Sequence, residues 1–183
     1  MKFVSPVLLY LAVWMNSYHL LGKLQNNDTI TIAWQAAPRH YDPRYAVDAN
    51  SQYLENLLHC SLIDFDKNGT IVKYLSDRWT WVTPKTLQVE IKKNATFGDG
   101  TPVTAQDVQA TYLFFLDKKV HPPSPRSFPF SDLQEIKVIN RHTVQFLLKE
   151  PNATFINNLI IGILPKAVAQ SPMIKSHNKI KGC

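Results

Sequence analysis

Hydrophobic and polar residues alternate in several short stretches, and this period of two predicts antiparallel β-structure. The alternation from Thr29 to Trp34 predicts a first strand. Asn68-Gly69 lies between apolar runs and predicts a hairpin with a type I′ turn, in which both central residues need positive φ. Two further hairpins are predicted around Thr83-Pro84-Lys85 and around Asn140-Arg141. We therefore expect a short-looped antiparallel sheet.

Between these strands lie segments in which hydrophobic residues recur with a helical period. From Asp48 onward it predicts an amphipathic helix whose N-cap groups come from Asp48 to Ser51, with one apolar face formed by Tyr53, Leu54, Leu57, Leu58 and Leu62. Further helices are predicted after Thr104, from Ala153 to Ile160, and briefly after Pro165. Hairpins with packed helices predict an α+β fold.

The stretch FGDGTPVTAQDV, residues 97 to 108, contains glycines, acids and threonines of the kind found in phosphate and metal loops. Its neighbours favour a structural interpretation. Asp99-Gly100 is typical of a turn, and Thr104 stands three residues before Asp107 ahead of an apolar run, which is the pattern of a capping box. The motif therefore predicts a turn followed by a helix N-terminus.

The first residues combine a basic start at Lys2 with an apolar run from Phe3 to Met15. This run is short for a membrane span and suits the hydrophobic region of an export signal. Residues 1–25 are therefore predicted to be a signal peptide or an uncleaved N-terminal anchor. A buried or amphipathic first helix is the alternative.

Composition and charge narrow the classes of function. The chain has 183 residues, of which 45% are hydrophobic and 19% charged, as in globular proteins. Its net charge of +6 is scattered along the sequence, so nucleic-acid binding is not predicted. Two cysteines, Cys60 and Cys183, are too few for a zinc ribbon or a disulfide scaffold, and Cys60 beside His59 is interpreted as a buried, unreactive residue.

Three blocks of the sequence carry a family resemblance: YDPRYAVDANSQYLENLLHCSLIDFDKNGTIV, then SDRWTWV, then TLQVEIKKNATFGDGTPVTAQDV. In this order they resemble the N-terminal part of the extracellular solute-binding proteins of family 5, the peptide, nickel and oligosaccharide receptors of bacterial ABC importers. The resemblance runs from about Thr29 to the end of the chain. Lys73 departs from it, since the family often has Pro there, and no lipidation Cys precedes Gln25.

The resemblance implies a portion of a two-lobed periplasmic binding protein. Residues 26–44 would form the first strand and cleft loop of lobe one, residues 45–164 an accessory domain, and residues 165–183 a return to lobe one. The tail HNKIKGC resembles the start of a family block, so the chain is expected to stop within a motif.

The resemblance also implies where a ligand would bind. Ala36, Ala37 and Pro38 follow the first strand, where the family presents backbone groups to its ligand, and Ser127 and Phe128 correspond to a second segment that lines the pocket. No catalytic residue, metal or cofactor is expected. The implied partners are a peptide or small-molecule ligand and an ABC permease, in the periplasm, with the protein a monomer that meets the membrane at most through its N-terminus. Tyr41, Tyr45 and Tyr53 are interpreted as packing residues.

Three hypotheses remain open from the sequence. The chain is part of a periplasmic receptor, with peptides as the favoured ligand, or it is a truncated product without transport function. The third hypothesis is a hydrolase that uses Asp99, Asp107 or His59, although the turn and the cap already explain the two acids.

Overall fold

The computed structural model describes Ala33, residues 36–117, Lys119 and residues 123–175. The predicted first strand lies outside these residues except for Ala33, and so does the predicted signal segment. The chain divides into the units Met1–Gln35 and Ala36–Cys183, and the helices and strands named in the next paragraph belong to the second unit.

This second unit alternates helices with hairpins. Its α-helices and strands are α1 Ala49–Leu58, β1 Ile63–Phe65, β2 Ile71–Lys73, β3 Ser76–Thr83, β4 Thr86–Ile91, α2 Ala105–Leu116, β5 Leu133–Asn140, β6 Thr143–Leu148 and α3 Lys166–Ala169. Two 3₁₀ helices cover Phe128–Phe130 and Ala153–Asn158.

The central element is a four-stranded antiparallel sheet in the order β3-β4-β6-β5. One face of its inner strands is apolar and buried against α2, and contains Leu87, Val89, Ile91, Val144, Phe146 and Leu148. Trp79 and Trp81 of β3 face the same core and are half-buried. The antiparallel α+β prediction and the hairpins around Pro84 and Arg141 are confirmed.

The hairpin of β1 and β2 is confirmed, but its predicted type I′ turn is wrong. Gly69 has a φ of 77°, whereas no non-glycine residue in the described part of the chain has a positive φ. Residues 66–70 form a longer loop because the Asp66 carboxylate accepts hydrogen bonds from the amides of Asn68 and Thr70. These bonds stabilise the loop without requiring Asn68 to adopt a left-handed conformation.

Helix α1 begins as predicted, with the Asp48 side chain accepting from the Ser51 amide. Its predicted apolar face is only partly correct, because Leu62 is buried and Leu54 and Leu58 are half-buried but the other two members are not. Tyr53 and Leu57 are 66% and 62% exposed, and the helix instead buries Ser51 and Glu55. The reason is that these two polar side chains bind other segments of the chain, as described below.

Helix α2 begins at the predicted capping box. The Asp107 carboxylate accepts from the Thr104 amide at 2.8 Å and from its hydroxyl at 2.6 Å. Gly100, with a φ of 81°, completes the preceding turn. The interpretation of residues 97 to 108 as a structural turn and cap is confirmed. The predicted helix from Ala153 is a 3₁₀ helix, and the short helix after Pro165 is α3.

Candidate ligand-binding edge

The segment that precedes α1 has no regular structure and is held by hydrogen bonds. The Ser51 hydroxyl accepts from the amides of Arg39 and His40, each at 3.0 Å. Ser51 in turn donates to Asp48 at 2.6 Å. The backbone immediately after the predicted ligand-binding residues is therefore fixed to the first turn of α1.

A buried ion pair holds the next residues of the same segment. Arg44 donates to both carboxylate oxygens of Asp42, at 2.9 and 2.7 Å, and both side chains are 0% exposed. Arg44 also donates to the Ala169 carbonyl at 2.7 Å, and Asp42 accepts from the Ile174 amide at 2.9 Å. Residues far apart in sequence are thereby joined through a charged pair that is fully hydrogen-bonded.

A second ion pair attaches residues 123–132, which we call the proline-rich loop, to this segment. Arg126 Nη1 donates to the Pro43 carbonyl and to Glu55 Oε2, both at 2.6 Å. In the same loop the Ser124 hydroxyl donates to the Arg44 carbonyl. The loop, helix α1 and the segment before α1 therefore meet at one polar cluster.

Burial shifts the pKa of two groups at this cluster. It raises the pKa of Glu55, although Arg126 and the Gly162 amide, which donates to Glu55 Oε1 at 3.1 Å, act in the opposite direction. Burial lowers the pKa of His59, whose Nε2 lies 3.3 Å from the Tyr41 carbonyl oxygen. The neutral form of His59 is therefore favoured.

The five predicted ligand-binding residues lie in segments that this cluster joins. Ala36 and Ala37 are exposed and Pro38 is half-buried, while Ser127 is half-buried and Phe128 is 85% exposed. None of the five makes the contacts that connect the two segments. Those contacts come from Glu55, Ser124 and Arg126, while Asp42 and Arg44 attach the first segment to Ala169 and Ile174; none of these roles was predicted from the sequence.

The sequence contained one local indication of this cluster, in the residues around Pro43. Asp42 and Arg44 flank Pro43, so the fixed φ of the proline lies within the pair. The partners of Glu55 and Arg126 carried no local signal, because the two residues are 71 positions apart. Of the three tyrosines interpreted as packing residues, Tyr41 and Tyr45 pack as expected, whereas Tyr53 is exposed.

The residues named for a hydrolase have structural partners instead. Asp99 accepts from the Thr101 amide and hydroxyl, Asp107 caps α2, and His59 is buried against the Tyr41 carbonyl. Cys60 is buried, as predicted, and is disulfide-bonded, which was not predicted from the sequence. Within the described residues, no three His, Cys, Asp or Glu side chains are placed to hold a metal ion.

The described part of the chain also lacks any helix with the length and apolar character needed to cross a membrane.

Comparison with known proteins agrees with this architecture. Residues 70–181 match the family described as bacterial extracellular solute-binding proteins, family 5 Middle. The chain belongs to this family. The match extends through the sheet, α2 and the proline-rich loop.

Individual family members give the same result. The probable D,D-dipeptide-binding periplasmic protein DdpA of Escherichia coli K12 is 32% identical over 138 residues, which cover 72% of this chain and 26% of that protein. The oligopeptide-binding protein AppA of Bacillus subtilis, solved in complex with a nonapeptide, is 28% identical with a TM-score of 0.68, over 73% of this chain and 27% of AppA.

NikZ of Campylobacter jejuni, solved in complex with Ni(L-His), is 25% identical with a TM-score of 0.69, over 79% of this chain and 29% of NikZ. The chain thus spans about a quarter of the length of the curated relatives it matches. It has the fold of the corresponding part of a two-lobed periplasmic binding protein.

Proposed function

We propose that this chain is part of the substrate-binding component of an ABC importer and that its ligands are peptides. The observation that carries the proposal is the family match over residues 70–181, together with three curated relatives that are named as peptide-binding proteins. In such a protein, two lobes close around a ligand and a permease recognises the closed form.

Ala36, Ala37 and Pro38 are proposed to contribute backbone groups to the ligand. Their small side chains permit close approach, and the bonds from Ser51 to Arg39 and His40 hold the following backbone in place. Ser127 and Phe128 are proposed to form the second contact, from a loop that Arg126 fixes to the same segment. Main-chain pairing suits a peptide because its backbone is the same whatever its side chains.

The proposed domain division keeps residues 45–164 as an accessory domain and assigns residues 26–44 and 165–183 to lobe one. The bonds of Asp42 and Arg44 to Ala169 and Ile174 support it, since they join the two flanking segments to each other. We further propose that the protein works in the periplasm, as a monomer, with an ABC permease as its partner.

A titration of the natural protein from its source tests the ligand class. We expect calorimetry to give a dissociation constant of about 10 μM or tighter for at least one peptide of two to nine residues. Ni(L-His) is the matched alternative, because NikZ binds that complex and shares the fold. Binding of Ni(L-His) without binding of any peptide would refute the peptide proposal.

A further inference from the structure

Arg126 lies between two grooves of opposite character. One, of about 320 Å³, is bounded by the start of α1, the proline-rich loop and the 3₁₀ helix Ala153–Asn158, and we call it the Arg126 groove. Its walls include Val47, Gln52, Phe130, Asn157 and Ile161. The other groove, of about 240 Å³, contains the carboxylates of Glu55 and Asp64.

The Arg126 groove contains the Arg126 guanidinium and no carboxylate of the described chain. Among the described residues that line this groove, Arg126 is the only charged one. Glu55 neutralises Arg126 from the other groove, through Nη1 alone. The Nε and Nη2 atoms of Arg126 therefore have no carboxylate partner among the described residues.

The guanidinium retains free donors for such an anion. Its side chain is 13% exposed, and its bonds to other described residues use only Nη1. Nε and Nη2 form the edge that binds a carboxylate in a bidentate arrangement. Because Nη1 is held by Pro43 and Glu55, the position of this edge is fixed before a ligand arrives.

The remaining walls of the groove suit an apolar ligand group that has polar atoms beside it, which side-chain amides can hydrogen-bond. Phe130, Ile160 and Ile161 supply apolar surface, and Gln52 and Asn157 supply side-chain amides. A carboxylate attached directly to an apolar group would satisfy both parts of this surface.

We propose that the Arg126 groove binds a carboxylate next to an apolar side chain, the chemistry of a peptide C-terminus or of an acylated amino acid. Arg126 binds the carboxylate through Nε and Nη2, and the phenylalanine and isoleucine walls take the apolar side chain. The proposal rests on the proposed function only in treating the ligand as a small solute.

The test uses two small probes of nearly the same size, one ending in a carboxylate and the other in a neutral carboxamide. The 183-residue chain, labelled with ¹⁵N, is titrated with N-acetyl-L-leucine and, in parallel, with N-acetyl-L-leucinamide. We expect saturable shifts of the Arg126 Nε–H and of the Gln52 and Asn157 side-chain amides, with a dissociation constant on the order of millimolar for the acid. The amide should bind at least about tenfold more weakly, because it lacks the anion.

Two kinds of variant test whether the acid binds in the Arg126 groove. Val47→Asp adds a carboxylate to the groove and should weaken the acid at least about threefold, whereas Val82→Asp, at a similarly exposed position outside the groove, should leave it unchanged. The double variant E55Q/R126Q removes the guanidinium without leaving Glu55 as a buried unpaired charge, and it should abolish saturation.

Several results would overturn the proposal: no saturable shift in the groove, equal binding of acid and amide, or equal weakening by Val47→Asp and Val82→Asp. None of these results depends on peptide binding by the natural protein. The carboxylate site can therefore fail while the receptor function stands, and the reverse also holds.

Discussion

Single buried polar side chains determine how the segments of this chain are joined. Asp107 is the clearest case, because one carboxylate serves two helices. One oxygen accepts from Thr104 at the start of α2, and the other accepts from the Lys166 amide, at 2.8 Å, at the start of α3. A capping residue that the sequence identifies locally thus also has a long-range structural role.

We predict that Asp107→Ala lowers the free energy of unfolding by about 2–4 kcal/mol, through loss of the cap and of the acceptor for the Lys166 amide. Urea denaturation of the 183-residue chain measures this loss. Asp99→Ala is the control, because Asp99 also accepts two bonds within its own turn but is exposed, and its cost should stay below about 1 kcal/mol. Equal losses would show that the bond to Lys166 contributes nothing.

His59 makes stability depend on pH. Burial lowers its pKa below the ordinary value of 6.5, so the unfolded chain takes up the proton first as the pH falls. The contribution of His59 is therefore present above about pH 6.5 and is lost as the pH falls towards its folded pKa. Glu55, whose pKa is raised, has the opposite sign and loses its contribution as the pH rises.

We predict that, between pH 7 and pH 5, the free energy of unfolding of His59→Gln changes less unfavourably than that of the unsubstituted 183-residue chain, because the variant lacks the imidazole whose pKa is lowered by folding. Denaturation curves at several pH values measure both profiles. Glu55 and Asp42, the acids that face this region, are present in both proteins, so the difference between the profiles isolates His59. Parallel profiles would exclude His59 as the titrating group.

Among helices and strands, the features predicted correctly are those that depend on residues close together in the sequence. The alternation of Leu87, Val89 and Ile91 and the Thr104–Asp107 cap depend on spacings of two and three residues. The orientation of α1 depends on Glu55 binding Arg126 across 71 positions, which no local period reports. Tyr53 and Leu57 are consequently exposed although their spacing is that of a buried face.

At Gly162, the backbone packs closely against the side chains of His59 and Pro43. A Cβ there would lie 2.4 Å from His59 Cβ and 3.2 Å from Pro43 Cβ, closer than the packed interior allows. Residues 159–164 and the polar cluster therefore approach each other only because this residue has no side chain.

We predict that Gly162→Ala lowers the free energy of unfolding of the 183-residue chain by about 3 kcal/mol, because the backbone must shift and the Glu55 bond to the Gly162 amide weakens. Gly69→Ala is the matched control. It meets no atom within 4 Å but has a φ of 77°, so it should cost only about 1 kcal/mol. Thermal or urea unfolding distinguishes the two, and a smaller loss at Gly162 than at Gly69 would contradict the packing account.

For the whole molecule, the ordered sequence blocks indicated the family, and the family match confirms it. The ligand-binding residues Ala36, Ala37, Pro38, Ser127 and Phe128 remain predictions. Their placement followed from the family resemblance, whereas the pairing of Glu55 with Arg126 emerged only from the three-dimensional contacts. Residue type and spacing predict local structure here, and the long-range ion pair of Glu55 with Arg126 determines how the proline-rich loop is attached to α1.

The central claim is that the natural protein binds peptides. The most direct measurement is mass spectrometry of the small molecules released by acid from the protein purified, without denaturation, from its source. The account predicts peptides of a few residues in amounts comparable to the protein. Release of nickel or a sugar in such amounts, with no peptide, would contradict it.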